Sequence, residues 1–261
     1  MKRRFFLQII SVFLITFGSF SLFGQNSNKP LAKKLYEVKQ QSRSFSNYKQ
    51  LFQESVQNSR ASSIASIVDN AQLLTINKDQ LAQLIQNNSD VIELTIPYNG
   101  RPVTVEMFQK SVLSNGFIAK TSSTYDKPVA YDQGKYYRGI IKGNDNAVVA
   151  ISFFKDEVIG MVSNSDGNFV LGKLLEAGNQ SDYIFYNDKD LKITNSSECH
   201  SDDLIENQQK MNEYEDNIKE GAARGDFCVD MYLECDYKLY QNKGNSVSNT
   251  INWITAAFNN V

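Results

Sequence analysis

One histidine and three cysteines are all that 261 residues carry of those two types, and each scarcity closes off chemistry. A zinc-peptidase helix of the form H-E-x-x-H needs two imidazoles one turn apart, with the glutamate between them as general base. His200 stands alone, so the chain as given cannot build that site. A Ser-His-Asp triad would have to recruit the same His200 from a polar stretch that lacks the buried orienting partner the mechanism needs. Cys199, Cys228 and Cys235 are too few for a disulfide-stapled fold, and odd in number, so at least one is free or pairs with something beyond this chain. G-x-S-x-G, P-loop, Rossmann-type glycine and D-x-D-x-D-G patterns are absent. No stripe of Lys and Arg interleaved with aromatics appears either, which argues against a nucleic-acid partner.

What is present begins with an export signature. Lys2, Arg3 and Arg4 precede an apolar run over 5–17, small residues at Gly18, Ser19, Ser21 and Gly24, and a polar stretch from Gln25. Those are the three parts of a secretory signal peptide over 1–24, with the membrane met only during export and the product secreted or at the cell surface. The alternative is a single membrane anchor, since 5–23 is nearly long enough to span. Loss of the leader takes the formal charge from −2 to −5, because its three basic residues go with it. The apolar and aromatic content of the remainder is enough for a packed core.

Residues 25–72 read as a polar helical and linker segment, with sparse apolar positions at Leu31, Leu35, Val38, Phe45, Leu51 and Phe52. From there the pattern tightens. Residues 73–76 form a short strand, and Asn77 with Gln80 three residues on has capping-box spacing before a helix carrying Leu81, Leu84 and Ile85. Val91-Ile-Glu-Leu-Thr-Ile96 and Val103-Thr-Val-Glu-Met-Phe108 alternate inward and outward around an Asn99-Gly100 turn, bounded by Pro97 and Pro102. Further strands follow over 136–142, 147–154, 158–163, 168–171 and 183–186, with turns at Gly134, Asn144-Asp145 and Asp166-Gly167. The expected result is a mainly antiparallel β domain with short helices over 73–194, whose core includes Tyr137, Val149, Ile151, Ile159 and Phe169.

Residues 195–226 break the pattern. They are rich in Glu, Asp, Asn and Gln and end in Gly221-Ala-Ala-Arg-Gly225, a composition that gains little from burial. After them, Val229, Met231, Leu233 and Cys235 alternate as one face of a strand, which would hold Cys228 and Cys235 about 20 Å apart and on opposite sides. Ile251, Ile254, Ala257, Phe258 and Val261 then repeat at helical spacing, widened by Trp253. A strand and one helix cannot close a core, and a helix running to the last residue without a C-cap predicts a truncated domain, so 227–261 reads as the opening of a second domain.

The pairing of the glycine-punctuated meander over 136–174 with Cys228-Val-Asp-Met-Tyr-Leu-Glu-Cys235 and its following helix resembles a known order of segments. The first is similar to the back half of the propeptide of secreted reprolysin-like (adamalysin-type) zinc metalloproteases, the second to the first strand and helix of their catalytic domain. The resemblance implies an α+β architecture: an antiparallel β propeptide, a flexible junction over 195–226, and the truncated start of an α/β zincin domain over 227–261. It implies a latent zinc metalloendopeptidase whose propeptide assists folding and restrains the protease. Zinc would belong to the complete enzyme and not to this chain alone, and the partners would be the rest of the protease domain and the protein substrates of the full enzyme. By position, Cys199 is the candidate cysteine-switch ligand to that zinc. In this family Gly usually follows the switch Cys, and here His200 does; an exposed thiol, or a disulfide with Cys228 or Cys235, is the alternative. His200, Asp202, Asp203 and Glu206 read as solvated charge, as do Glu234 and Asp236, for which the resemblance offers a structural calcium site as the alternative. Arg224 is the candidate processing position. No residue present is a candidate catalytic group. The rival reading is an exported, non-enzymatic β-rich binding protein or a stand-alone propeptide-like protease inhibitor.

Overall fold

A computed structural model describes residues 29–42, 44–55, 61–124, 127–176, 178–192 and 231–260. The expected leader over 1–24 and the expected junction over 195–226, and with them Cys199, His200, Arg224 and Cys228, lie outside the described residues.

The fold is mixed, with few short helices around one large, mostly antiparallel sheet. The elements are α1 (Pro30–Gln41), β1 (Phe45–Tyr48), β2 (Phe52–Glu54), α2 (Ala61–Ala65), β3 (Ala71–Ile76), α3 (Lys78–Asn87), β4 (Val91–Ile96), β5 (Val103–Gln109), β6 (Ala119–Lys120), β7 (Pro128–Val129), β8 (Lys135–Ile141), β9 (Asn144–Phe153), β10 (Val158–Asn164), β11 (Gly167–Lys173), β12 (Asp182–Asn187), α4 (Tyr237–Asn242) and α5 (Val247–Asn259). Ten strands form one sheet in the order β1-β4-β5-β8-β9-β10-β11-β12-β3-β2, and β6 and β7 form a separate ribbon. Laid flat, the two edges of ten strands would stand roughly 43 Å apart. Yet β1 and β2 are those edges, and the chain from Tyr48 to Phe52 can span no more than about 15 Å. The sheet must therefore curl until its ends approach, giving a barrel-like layer with a seam between β1 and β2.

The alternation of side chains then decides what is inside. Ile92, Leu94, Val105, Met107, Tyr137, Val149, Ile151, Phe153, Val158, Val162, Leu171, Tyr183 and Phe185 fill the interior. The inner tyrosines deliver their hydroxyls to backbone partners: Tyr137 donates to the Ser89 carbonyl at 2.8 Å, and Tyr183 accepts from the Val158 N–H at 3.1 Å. One end is plugged by α3, whose Leu81 and Leu84 join the core. Its N-cap is the expected one, Asn77 Oδ1 accepting from Gln80 N at 3.0 Å. The reciprocal half of the box is not made, and Gln80 Oε1 is buried without a hydrogen-bond partner. The other end is closed by the β4–β5 turn, where Tyr98 sets its ring edge-on to Phe169 at 5.3 Å and Phe185 at 5.4 Å. Asn99 and Gly100 take φ values of 46° and 70°, and Arg101 N–H bonds to the Tyr98 carbonyl at 2.8 Å, the geometry that an Asn-Gly turn supplies.

Three expectations change. Residues 45–48 and 52–54 are strands of the main sheet, and Tyr48, Leu51 and Phe52 are buried in its core; two strands this short carry too little periodicity to be told from linker. One of them, β1, pairs with β4 in parallel, within a sheet that is mainly antiparallel as expected. The turn expected at Asn144-Asp145 lies at Lys142-Gly143, with Gly143 at φ 81° and Asn144 already paired to Ile141. Ile159 is on the outer face, directly across from Ser152, because Val158 and Gly160 point inward. Of the other expected core residues, Tyr137, Val149, Ile151 and Phe169 are buried.

Candidate functional site, the outer face of the curled sheet

Two helices cover the outside of the sheet, and the chemistry of the described residues concentrates beneath them. Helix α1 begins with Pro30 in its first turn, where the missing N–H costs nothing, and buries Ala32 and Leu35 against Val91, Phe108 and Ile140. Beside that contact, Asn47, Glu93 and Glu106 form a row across β1, β4 and β5. Glu93 accepts from Asn47 Nδ2 at 2.8 Å and from Lys142 Nζ at 2.5 Å, while Glu106 accepts from Lys39 Nζ of α1 at 2.9 Å. The Lys142 ammonium holds the Glu93 carboxyl below its ordinary value. Tyr36 donates to Asp145 at 2.5 Å, and burial first, then that bond, pushes its hydroxyl up to about 12. Each of these groups is matched to another, and the row fastens α1 to the sheet.

Helix α5 sits on β8, β9 and β10. Ser246 caps its start, accepting from Asn249 N at 3.2 Å. Ala256 is fully buried between Tyr136 and Phe154, its small side chain allowing close approach. The far end of the helix is gripped by polar groups. Arg138 on β8 donates from Nε to Asn259 Oδ1 and from Nη2 to the Phe258 carbonyl, each at 3.2 Å. Asn259 in turn donates to the Tyr137 carbonyl at 3.3 Å and to Ser152 Oγ at 3.1 Å, and is 1% exposed. A guanidinium here meets the carbonyl end of the helix, where the macrodipole favours a cation. Burial alone pulls the Arg138 guanidinium below its ordinary value. At the other end Tyr131 donates to Asn252 Oδ1 at 3.0 Å. Nearby, burial raises Glu157, with Lys243, Lys173 and Asn252 opposing it, and burial lowers Lys243, whose ammonium stands 4.7 Å over the Trp253 ring.

The face of α5 that docks is not the apolar one. Ala256 and Asn259 meet the sheet and Asn252 and Thr255 the Tyr131 loop ahead of β8, whereas Ile251, Ile254, Ala257 and Phe258 are half-buried and Trp253 is exposed. At 100° per residue the docked face and the Ile251-Ile254-Phe258 stripe stand roughly 115° apart. The surface beneath α5 combines Tyr136, Phe154 and Ile159, which receive the small Ala256, with Arg138 and Ser152, which a wholly apolar helix face would leave unpaired.

The strand expected ahead of this helix is not formed over 231–236. These residues have no regular structure and are exposed, including Met231, Tyr232 and Leu233, since nothing pairs with them among the described residues. Asp236 instead caps α4, accepting from Leu239 N at 2.7 Å, and Glu234 is exposed charge. Cys235 is an exposed free thiol, raised by partial desolvation first and then by the Asp236 and Glu234 carboxylates. Helix α5 closes at Asn260, whose N–H bonds to the carbonyls of Ala256 and Ala257. Arg138, Asn259 and Asn252 were not singled out by the sequence, although Asn252, Thr255, Ala256 and Asn259 do repeat at helical spacing as a polar and small face. Among the described residues no group of three or more His, Cys, Asp or Glu could hold a metal, and no helix is long and apolar enough to cross a membrane. No protein-family model and no curated protein matches this sequence.

Proposed function

We propose that this chain is the propeptide and the opening of the catalytic domain of a secreted zinc metalloendopeptidase, with the curled sheet acting as folding aid and restraint. The observation that carries the reading is the seating of α5. A helix that follows the acidic junction in sequence rests on the sheet by its polar face. Its apolar stripe is left half-buried, as a helix would be if that stripe belonged to the core of a further domain. The described residues do not make a zinc site, and no catalytic step is assigned to them. Cys199 is the proposed thiolate that closes the open zinc position of the complete enzyme, and Arg224 the proposed cleavage position.

The non-enzymatic reading, an exported binding protein or inhibitor, would share the α5 contact. Sequencing the gene beyond the codon for Val261 separates the two, since an H-E-x-x-H in the continuing frame is required by the first and foreign to the second. The purified chain is expected to show no peptidase activity and no stoichiometric zinc; casein cleavage abolished by a chelator would overturn that assignment.

A further inference from the structure

Resting on the precursor reading, we propose that the face built by Arg138, Tyr137, Ser152, Tyr136 and Phe154 is a receptor for the C-terminal end of α5, strong enough to retain that helix after the chain is cut in the junction. Cleavage alone would then not separate the two parts, and release would need a second event that breaks the grip.

The contact has the features of a recognition site rather than of incidental packing. Its specificity is directional: Arg138 reads a helix carbonyl end through Phe258 and an amide side chain through Asn259 Oδ1. Asn259 uses its donor side on Tyr137 and Ser152, so both halves of its amide are bonded to the sheet. Ser152 and Asn259 are buried, and removal of either partner would strand a polar group away from water. Ala256 between Tyr136 and Phe154 supplies the apolar centre, and Tyr131 with Asn252 a second polar anchor. These contacts join residues more than a hundred positions apart in the chain.

The test uses the full chain with a specific protease site inserted between Gly225 and Asp226, cut to completion and run on size exclusion at a series of dilutions. The two pieces are expected to co-elute, with the α5 amides still protected from hydrogen exchange. Separation of the wild-type pieces at micromolar concentration would overturn the proposal. Arg138→Ala and Asn259→Ala should each weaken the association by about tenfold or more. If both variants hold α5 as tightly as the wild type, this face is not the receptor. Should Arg138→Ala disturb the sheet, seen by circular dichroism of the uncut chain, Asn259→Ala on the helix side decides alone. Co-elution is independent of the gene sequence beyond the codon for Val261, so its failure is distinct from failure of the protease reading.

Discussion

Glu93 and Glu106 stand directly opposite one another across β4 and β5, both carboxylates on the outer face and only 5% and 6% exposed. Like charges in that position repel. Lys142 offsets the repulsion by reaching both, at 2.5 Å and 3.9 Å, while Lys39 brings α1 to Glu106. The pair is thus a charged row that is stable only with the helix and the β8–β9 turn in place.

Stability toward acid should depend on Glu93. Its carboxyl is held below the ordinary value by the Lys142 hydrogen bond, so its contribution is fully present above the unfolded pKa and is lost as pH falls through the lower folded one. Glu93→Gln should flatten urea-unfolding stability measured between pH 5 and pH 3 relative to wild type. An unchanged acid limb would mean that the row does not stabilise the fold.

The alkaline limb should depend in part on Tyr36. Its hydroxyl moves from 10.0 to about 12, so the unfolded chain loses this proton first and stability falls as pH rises between those values. Tyr36→Phe should lessen that fall, with Tyr137 and Tyr183, and likewise Tyr131, Tyr98 and Tyr186, all raised chiefly by burial, contributing to what is left. Equal slopes for variant and wild type in denaturant titrations would contradict the Tyr36–Asp145 tether.

Two glycines should fail for different reasons. At Gly100 a side chain would meet nothing within 4 Å, but φ is 70°, so Gly100→Val should cost about 1–2 kcal/mol through backbone strain alone. At Gly139 a Cβ would collide with the Glu106 carbonyl oxygen on the neighbouring strand, beside a register irregularity. Gly139→Ala should therefore cost about 3 kcal/mol or more. Chemical denaturation ranks the two, and the reverse order would show that the β5–β8 contact is slack.

Limited trypsinolysis of the folded chain should cut first within 195–226, foremost after Arg224, and leave the curled sheet intact. Arg224→Gln should remove the first product without slowing cuts elsewhere. Early cleavage within β8–β12 instead, at Arg138, Lys155 or Lys173, would refute the two-part organisation.

Much of the β architecture was legible because its signals are local. The Asn99-Gly100 turn, the alternation of β4 and β5, the Asn77 cap and the span of α5 each depend on residues near in sequence, and each stands close to where it was expected. The expected strand over 229–235 shows the limit of such signals. Alternation marks a segment able to pair, but a strand needs a partner's N–H and C=O groups, and none of the described residues offers them to 231–236.

The sequence by itself determined where the chain turns, caps and alternates, since sterics and short-range hydrogen bonding settle those within a few residues. Only the tertiary structure decided that β1 and β2 close the sheet from opposite edges, that Lys142 and Lys39 reach the Glu93–Glu106 pair, and that α5 docks by Asn252, Ala256 and Asn259 rather than by its apolar stripe. Those outcomes depend on which outward-facing groups meet across distant parts of the chain. A helix face is chosen by the partners opposite it, and Arg138 and Ser152 become partners only once the strands that carry them lie side by side.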